Sequence, residues 1–233
     1  MPFLPVNKSE MLLRGWDRPD FVYVSGDAYV DHPSFGHAII TRMLESRGYK
    51  VGMLAQPDWK NIKAFKEFGR PRLGFLVSSG NIDSMVNAYT AARRPRSRDV
   101  YSPGGKTGLR PNRADIVYTN CIRQAYKNIP VILGGVEASL RRLAHYDYWS
   151  DKVRASILAD SGADLLLFGM GERSIIELAD ALDAGIPIRD ITYINGSAYI
   201  ADSLENVYDY EIIESFEEVR ENKRAYASAF MKQ

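Results

Sequence analysis

Five short apolar runs punctuate the chain, at 21–25, 51–55, 73–77, 130–133 and 164–168, rich in Val, Leu, Ile, Phe and Met and without polar alternation. Unbroken apolarity over so few residues marks strands buried on both faces. Between them the period changes to that of a helix. Over 34–47, Ile39, Ile40, Met43 and Leu44 share one face and Gly48 supplies the stop. The stretches 115–128 and 151–159 also read as helices. Over 172–184, Ile175, Ile176, Leu178, Ala179 and Leu182 form a stripe closed by Gly185 and Pro187. Alternating strand and helix patterns predict an α/β fold: a doubly wound, mostly parallel sheet of about five strands, Rossmann-like or flavodoxin-like, over residues 1–200. The segment 193–200 is a candidate edge hairpin.

In such folds ligands sit beyond the carboxyl ends of the strands, where the strand order reverses. Those ends carry Gly26-Asp27, Ser78-Ser79-Gly80, Gly134-Gly135 and Gly169-Met170-Gly171-Glu172. A glycine-rich rim for a small-molecule ligand is therefore expected, with Asp27, His32, Ser79, Gly80, Gly134, Gly135, Gly171 and Glu172 as its binding residues. His32 is included because an imidazole just after the first strand can ligate cobalt or iron, or orient a polar group. The plainer reading of the same segment is a turn in which Asp31 or Ser34 caps the helix and Pro33 enters its first turn.

Two segments fit neither pattern. From 90 to 113 there is no apolar period, and Arg93, Arg94, Arg96, Arg98, Lys106, Arg110 and Arg113 face one acid, Asp99. Loops this long inside a domain are functional or disordered. Residues 201–233 read as an acidic linker followed by a helix over 216–230. The 30 basic and 29 acidic residues leave a net charge of +1, so this asymmetry is local and no global field favours nucleic acid. A charge run without interleaved aromatics reads as a solvated loop, which ranks RNA or an acidic partner last among the functions considered.

The 233 residues are 45% hydrophobic and 25% charged, the balance of a globular domain. No apolar run approaches a membrane span and no secretory signal is legible, so a cytoplasmic address is expected. One cysteine, Cys121, excludes an internal disulfide and a three-cysteine cluster site, and with three histidines no metal site is assigned. Cys121 lies mid-helix and reads as a buried thiol.

No catalytic set emerges either. Gly105-Lys106-Thr107 looks like the end of a phosphate-binding loop, but Val100 stands where that motif needs glycine. The stretch from Glu137 to Asp151 gathers Glu137, His145 and Asp147 with Arg141 and Arg142, in reach of acid/base or anion-binding roles, yet without diagnostic spacing. Its plainer reading is a helix and loop with Tyr146, Tyr148 and Trp149 packed together.

Several separated segments carry a family likeness. The run from Pro130 to Ala138, and Asp164 to Glu172 followed by a helix, resemble the cobalamin-binding-like domain that precedes many radical S-adenosylmethionine (SAM) cores. With Gly26 to Gly36, Ala55 to Trp59, Ser102 to Gly105 and Glu137 to Asp151, nearly the whole chain resembles the YgiQ-type radical SAM proteins. The resemblance implies an N-terminal accessory domain, truncated or split before a barrel that holds a 4Fe–4S cluster and SAM on a C-x-x-x-C-x-x-C loop. Cys121 matches no position of that loop, so the missing barrel is the expected partner and the chain alone is expected to be inactive. The corrinoid motif D-x-H-x-x-G is also altered: Asp31 and His32 are adjacent, and Gly36 follows His32 by four positions instead of three, although Gly134 and Gly135 match the glycine pair under the nucleotide tail. The alternative is a stand-alone module that binds a corrinoid or nucleotide without chemistry of its own.

Overall fold

The computed structural model describes residues 3–205 and 207–233; Met1, Pro2 and Asn206, which belong to the stretches read for a leader and for the acidic linker, lie outside the described residues. Helix α1 (Lys8–Leu13) is capped by Asn7, whose side chain accepts from the Glu10 amide at 2.8 Å. It is followed by β1 (Phe21–Ser25), α2 (Gly36–Ser46), β2 (Val51–Ala55), β3 (Gly74–Ser78), α3 (Ser84–Ala88), α4 (Ala114–Ala125), β4 (Val131–Leu133) and α5 (Gly135–Leu140). Then come β5 (His145–Asp147), β6 (Lys152–Arg154), α6 (Ile157–Ser161), β7 (Leu165–Leu167), α7 (Glu172–Asp183), β8 (Ser197–Ala198), α8 (Phe216–Glu221) and α9 (Lys223–Lys232).

The central sheet has six strands in the order β2-β1-β3-β4-β7-β8. The first five run parallel, and β8 joins β7 antiparallel at the edge, pairing Ala198 with Leu166. The doubly wound expectation is met, with one short strand more than the five apolar runs predict. From β1 the chain moves outward to β2, crosses back to β3 and then builds on to β4 and β7, so the order reverses between β1 and β3.

Alternate residues of each strand feed two cores. On one face Phe21, Tyr23, Leu76, Ile132, Leu165 and Leu167 pack with Leu44 of α2 and Ile175, Leu178 and Leu182 of α7. On the other, Val22, Val24, Phe75, Val77, Val131 and Leu133 meet Tyr118 and Ile122 of α4 and Ile157 and Leu158 of α6. Each fully buried side chain of this size stabilises the fold by roughly 1.5–3 kcal/mol, which is why the strands need no polar alternation.

Three expectations are corrected. The helix expected over 151–159 is instead strand β6 and the start of α6. Asp151 takes a left-handed turn at φ 54°, and His145 pairs with Arg154 across the hairpin, so the backbone is committed to strand pairing until Ser156 caps α6. The single helix expected over 216–230 breaks at Asn222, whose extended backbone ends α8 and whose side chain caps α9. At the start of α2 the N-cap is Phe35, with no side-chain cap, and Asp31 pairs with Arg42 instead of capping. The 90–113 segment holds only a bridge between Tyr89 and Pro95 and a short turn at Pro103–Gly105, and the phosphate-loop look-alike lies in that turn, neither leaving a strand nor entering a helix.

Candidate functional site

The carboxyl ends of β1, β3, β4 and β7 stand side by side, and on the α2–α7 side they open into a cleft of about 310 Å³. Its floor is the end of the apolar core: Tyr23, Leu76, Ile132 and Leu167. One wall is α2, with His37 and Ile40; the other is the β7–α7 turn, with Gly169, Gly171 and Glu172; Gly80, Gly134 and Gly135 lie along the rim.

Gly135 has to be glycine. Its φ is +83°, and a Cβ there would stand 2.6 Å from the Ser78 hydroxyl oxygen. Gly26, behind the rim, is equally constrained, because a Cβ would fall 2.1 Å from the Ser79 carbonyl oxygen. These contacts bring the β1, β3 and β4 turns close enough to make a smooth, small-residue surface.

Beneath that surface the polar groups are already engaged. Asp27 is fully buried; one carboxylate oxygen accepts from the Asn81 amide at 2.7 Å and the other lies 2.8 Å from the Arg110 guanidinium. Burial pushes its carboxyl up and the Arg110 charge opposes this. Arg110 also donates to the Ser79 carbonyl at 2.9 Å and lies 3.4 Å from Asp99. Asn81 bridges outward, donating through its side chain to the Ser34 carbonyl at 3.1 Å. His37 is buried and its Nε2 lies 3.0 Å from the Val30 carbonyl oxygen and 3.4 Å from the Val30 amide; burial lowers its pKa.

Of the residues expected at the rim, Gly80, Gly134, Gly135, Gly171 and Glu172 line the cleft. Asp27 and Ser79 sit behind it in the buried network. His32 is exposed and does not line the cleft; its Nδ1 accepts from the Ser34 amide at 3.1 Å, in a turn before α2 that supplies no side-chain cap. Asn81, His37 and Ile40 complete the cleft without having been singled out. Asn81 had a signal in following Gly80 directly, whereas only the packing of α2 reveals Ile40.

The 137–151 segment divides. Glu137 is fully buried and accepts from the Ser84 amide at 2.7 Å, while Arg141 pairs with Asp83. Asp115, equally buried, has neither carboxylate oxygen hydrogen-bonded to any described side chain; burial first and the Glu137 charge second push its carboxyl well up, so it is held neutral. Burial raises the Asp147 carboxyl too, but hydrogen bonds from Ser150 and Arg113 outweigh this and hold it at about 2. Cys121 is buried on α4, its thiol 3.4 Å from the Trp59 carbonyl oxygen. No group of metal-ligating side chains occurs among the described residues, and none of the described helices is long and apolar enough to cross a membrane.

Residues 3–233 match the radical SAM N-terminal family model. A UPF0313 protein of Clostridium perfringens is 57% identical over 98% of this chain, and one of Clostridium botulinum is 56% identical over 99%. The chain spans about a third of these relatives' length, 35% and 36%. Among solved structures, the radical S-adenosylmethionine methyltransferase TsrM of Kitasatospora setae, determined with its tryptophan substrate and a SAM analogue, is similar over 78% of this chain and 28% of that one, with a TM-score of 0.51 and 22% identity. That likeness concerns the fold.

Proposed function

The chain belongs to the radical SAM N-terminal family, and from that premise we propose that it serves as the Rossmann-like region beside a radical SAM barrel, holding a flat, largely apolar small molecule in the α2–α7 cleft. The observation that carries this reading is the cleft itself: small residues on its rim, an apolar floor, and a position at the carboxyl ends of a parallel sheet, where such folds bind ligands.

The cluster that the family implies does not fit these residues, since the one cysteine is buried against Trp59 and a cluster needs three. In this reading cluster and SAM belong to the two-thirds of the relatives' length that this chain does not span. The reading frame beyond the codon for Gln233 tests that half: a C-x-x-x-C-x-x-C triad in a barrel-sized frame is expected, and its absence from every frame overturns it. The cleft is tested in the full-length C. perfringens relative by filling its counterpart with leucine at the position of Gly171, where a Cβ meets only Ile40 at 3.7 Å. Folding is expected to survive and turnover to fall; unchanged turnover overturns the cleft's role.

A second reading, a stand-alone corrinoid- or nucleotide-binding module, is favoured by the Gly134–Gly135 pair at the cleft. Axial ligation does not fit, because His32 stands outside the cleft and the His37 Nε2 is taken by Val30. Titration with hydroxocobalamin decides the corrinoid form: an unchanged absorbance spectrum ends it, and a shift abolished by His32→Ala restores ligation.

A further inference from the structure

Away from the glycine rim, a second cleft of about 560 Å³ lies between the end of α3, the first part of the 90–113 segment, the β5–β6 hairpin and Tyr226 of α9. Its walls are aromatic. Tyr89 and Trp149 stack with ring centres 4.1 Å apart and 34° between planes, while Tyr146 and Tyr148 are about half exposed. Tyr148 is fixed at both ends, donating through its hydroxyl to the Ala91 carbonyl at 2.7 Å and accepting at its own carbonyl from Arg93 at 2.7 Å.

The structure also sorts the arginines of 90–113 into two groups. Arg110 and Arg113 are consumed internally by Asp27, Asp99 and Asp147. Arg93, Arg94, Arg96 and Arg98 are exposed and have no carboxylate partner within 4 Å among the described residues. Arg93 lies 4.8 Å above the Tyr148 ring, and Arg96 lines the cleft, anchored to the Tyr89 carbonyl at 3.1 Å. The acids that line the cleft are neutralised, Asp83 by Arg141 and Asp147 by Arg113. His145 also lines it; its Nδ1 is 3.1 Å from the Leu143 carbonyl oxygen, and its Nε2 has no partner among the described residues.

We propose that this cleft binds single-stranded nucleic acid, with bases stacked against the half-exposed Tyr146 and Tyr148 and phosphates along Arg96 at the cleft, Arg93 beside Tyr148, and the exposed Arg94 and Arg98 that neighbour them in sequence. The aromatics that the charge run lacks in sequence are brought beside it by the hairpin. Exposed aromatic faces next to arginines without a carboxylate partner are the two elements of sequence-tolerant single-strand binding. Two half-exposed rings beside four arginines that lack a carboxylate partner exceed what one mononucleotide engages, which favours a strand.

The experiment is fluorescence anisotropy with a labelled oligoadenylate of about twelve nucleotides, the scale of known single-strand sites. Adenosine monophosphate and a duplex of the same length serve as competitors. Saturable binding is expected, weakening about tenfold or more between roughly 50 and 200 mM salt, as for about three phosphates neutralised. Tyr148→Ala is expected to weaken binding about tenfold, within the range for one lost stacking platform. Arg96→Glu is expected to abolish binding at moderate salt. Both side chains are exposed, and Tyr146→Ala gives a further variant should Tyr148→Ala fail to fold. Absence of binding at low salt, equal binding of the mononucleotide or duplex, or indifference to all three substitutions in folded protein overturns the proposal.

Discussion

The Arg110 guanidinium lies 2.8 Å from the Asp27 carboxylate with both side chains buried, at the point where the strand order reverses between β1 and β3. A residue of the irregular 90–113 segment thus fills the crevice in which doubly wound folds hold their ligands. The open space is displaced sideways, to the α2–α7 cleft, and the segment is tied to the sheet through the Ser79 carbonyl and Asp99.

Removing Arg110 leaves Asp27 and Asp99 facing each other with no compensating charge. Breaking a buried pair from one side costs about 3–5 kcal/mol. Arg110→Ala is expected to lose that much in urea unfolding, and Arg110→Met with Asp27→Asn to recover part of it. An Arg110→Ala midpoint equal to wild type contradicts a structural role for the pair.

Asp115 gives stability a pH dependence opposite to that of most carboxylates. Burial, then Glu137, raises its folded pKa far above the unfolded value. The folded chain therefore keeps a proton that the unfolded chain releases, and stability is fully present below the unfolded pKa and lost as pH rises toward the folded one. The slope reaches about 1.4 kcal/mol per pH unit for one proton. Asp147, held at about 2, acts with the other sign, and its contribution is lost as pH falls from the ordinary carboxylate range toward 2. Urea unfolding of Asp115→Asn across pH 5–8 is expected to show a shallower decline than wild type, and parallel curves refute the assignment.

The two glycines after β4 separate conformation from space. Gly135→Ala meets both a φ of +83° and the Ser78 hydroxyl at 2.6 Å, whereas a Cβ on Gly134 meets only the Leu167 carbonyl at 3.8 Å. Losses of about 1–3 kcal/mol are expected for Gly135→Ala, the scale of a strained backbone position. For Gly134→Ala about 0.5 kcal/mol or less is expected, in keeping with unstrained substitutions. Equal thermal midpoints for the two variants rule out the distinction.

What sequence makes legible here is what repeats. The five apolar runs become the five parallel strands because each, such as Val22 and Tyr23, sends neighbours into opposite cores. The glycines of the rim are legible because they follow strands directly. Long-range pairing is not legible: nothing local says that Arg110 reaches Asp27, that Lys152 to Arg154 pairs with a strand instead of coiling, or that His32 turns away while Ile40 lines the cleft. The 90–113 charges read as a solvated run because the aromatics beside them come from residues near 146–149.

Cys121 ties this chemistry to a simple measurement. Its side chain is 4% exposed, its thiol donates to the Trp59 carbonyl, and burial raises its pKa, so the thiolate is scarce and unreachable in the folded chain. Reaction with a chromogenic disulfide is expected to be slow in buffer and complete within the mixing time in denaturant. Its native rate should track global unfolding, rising in Arg110→Ala by the factor by which that variant is destabilised. A fast native reaction indifferent to such destabilisation would mean an accessible thiol, and would reopen Cys121 as a reactive site on α4.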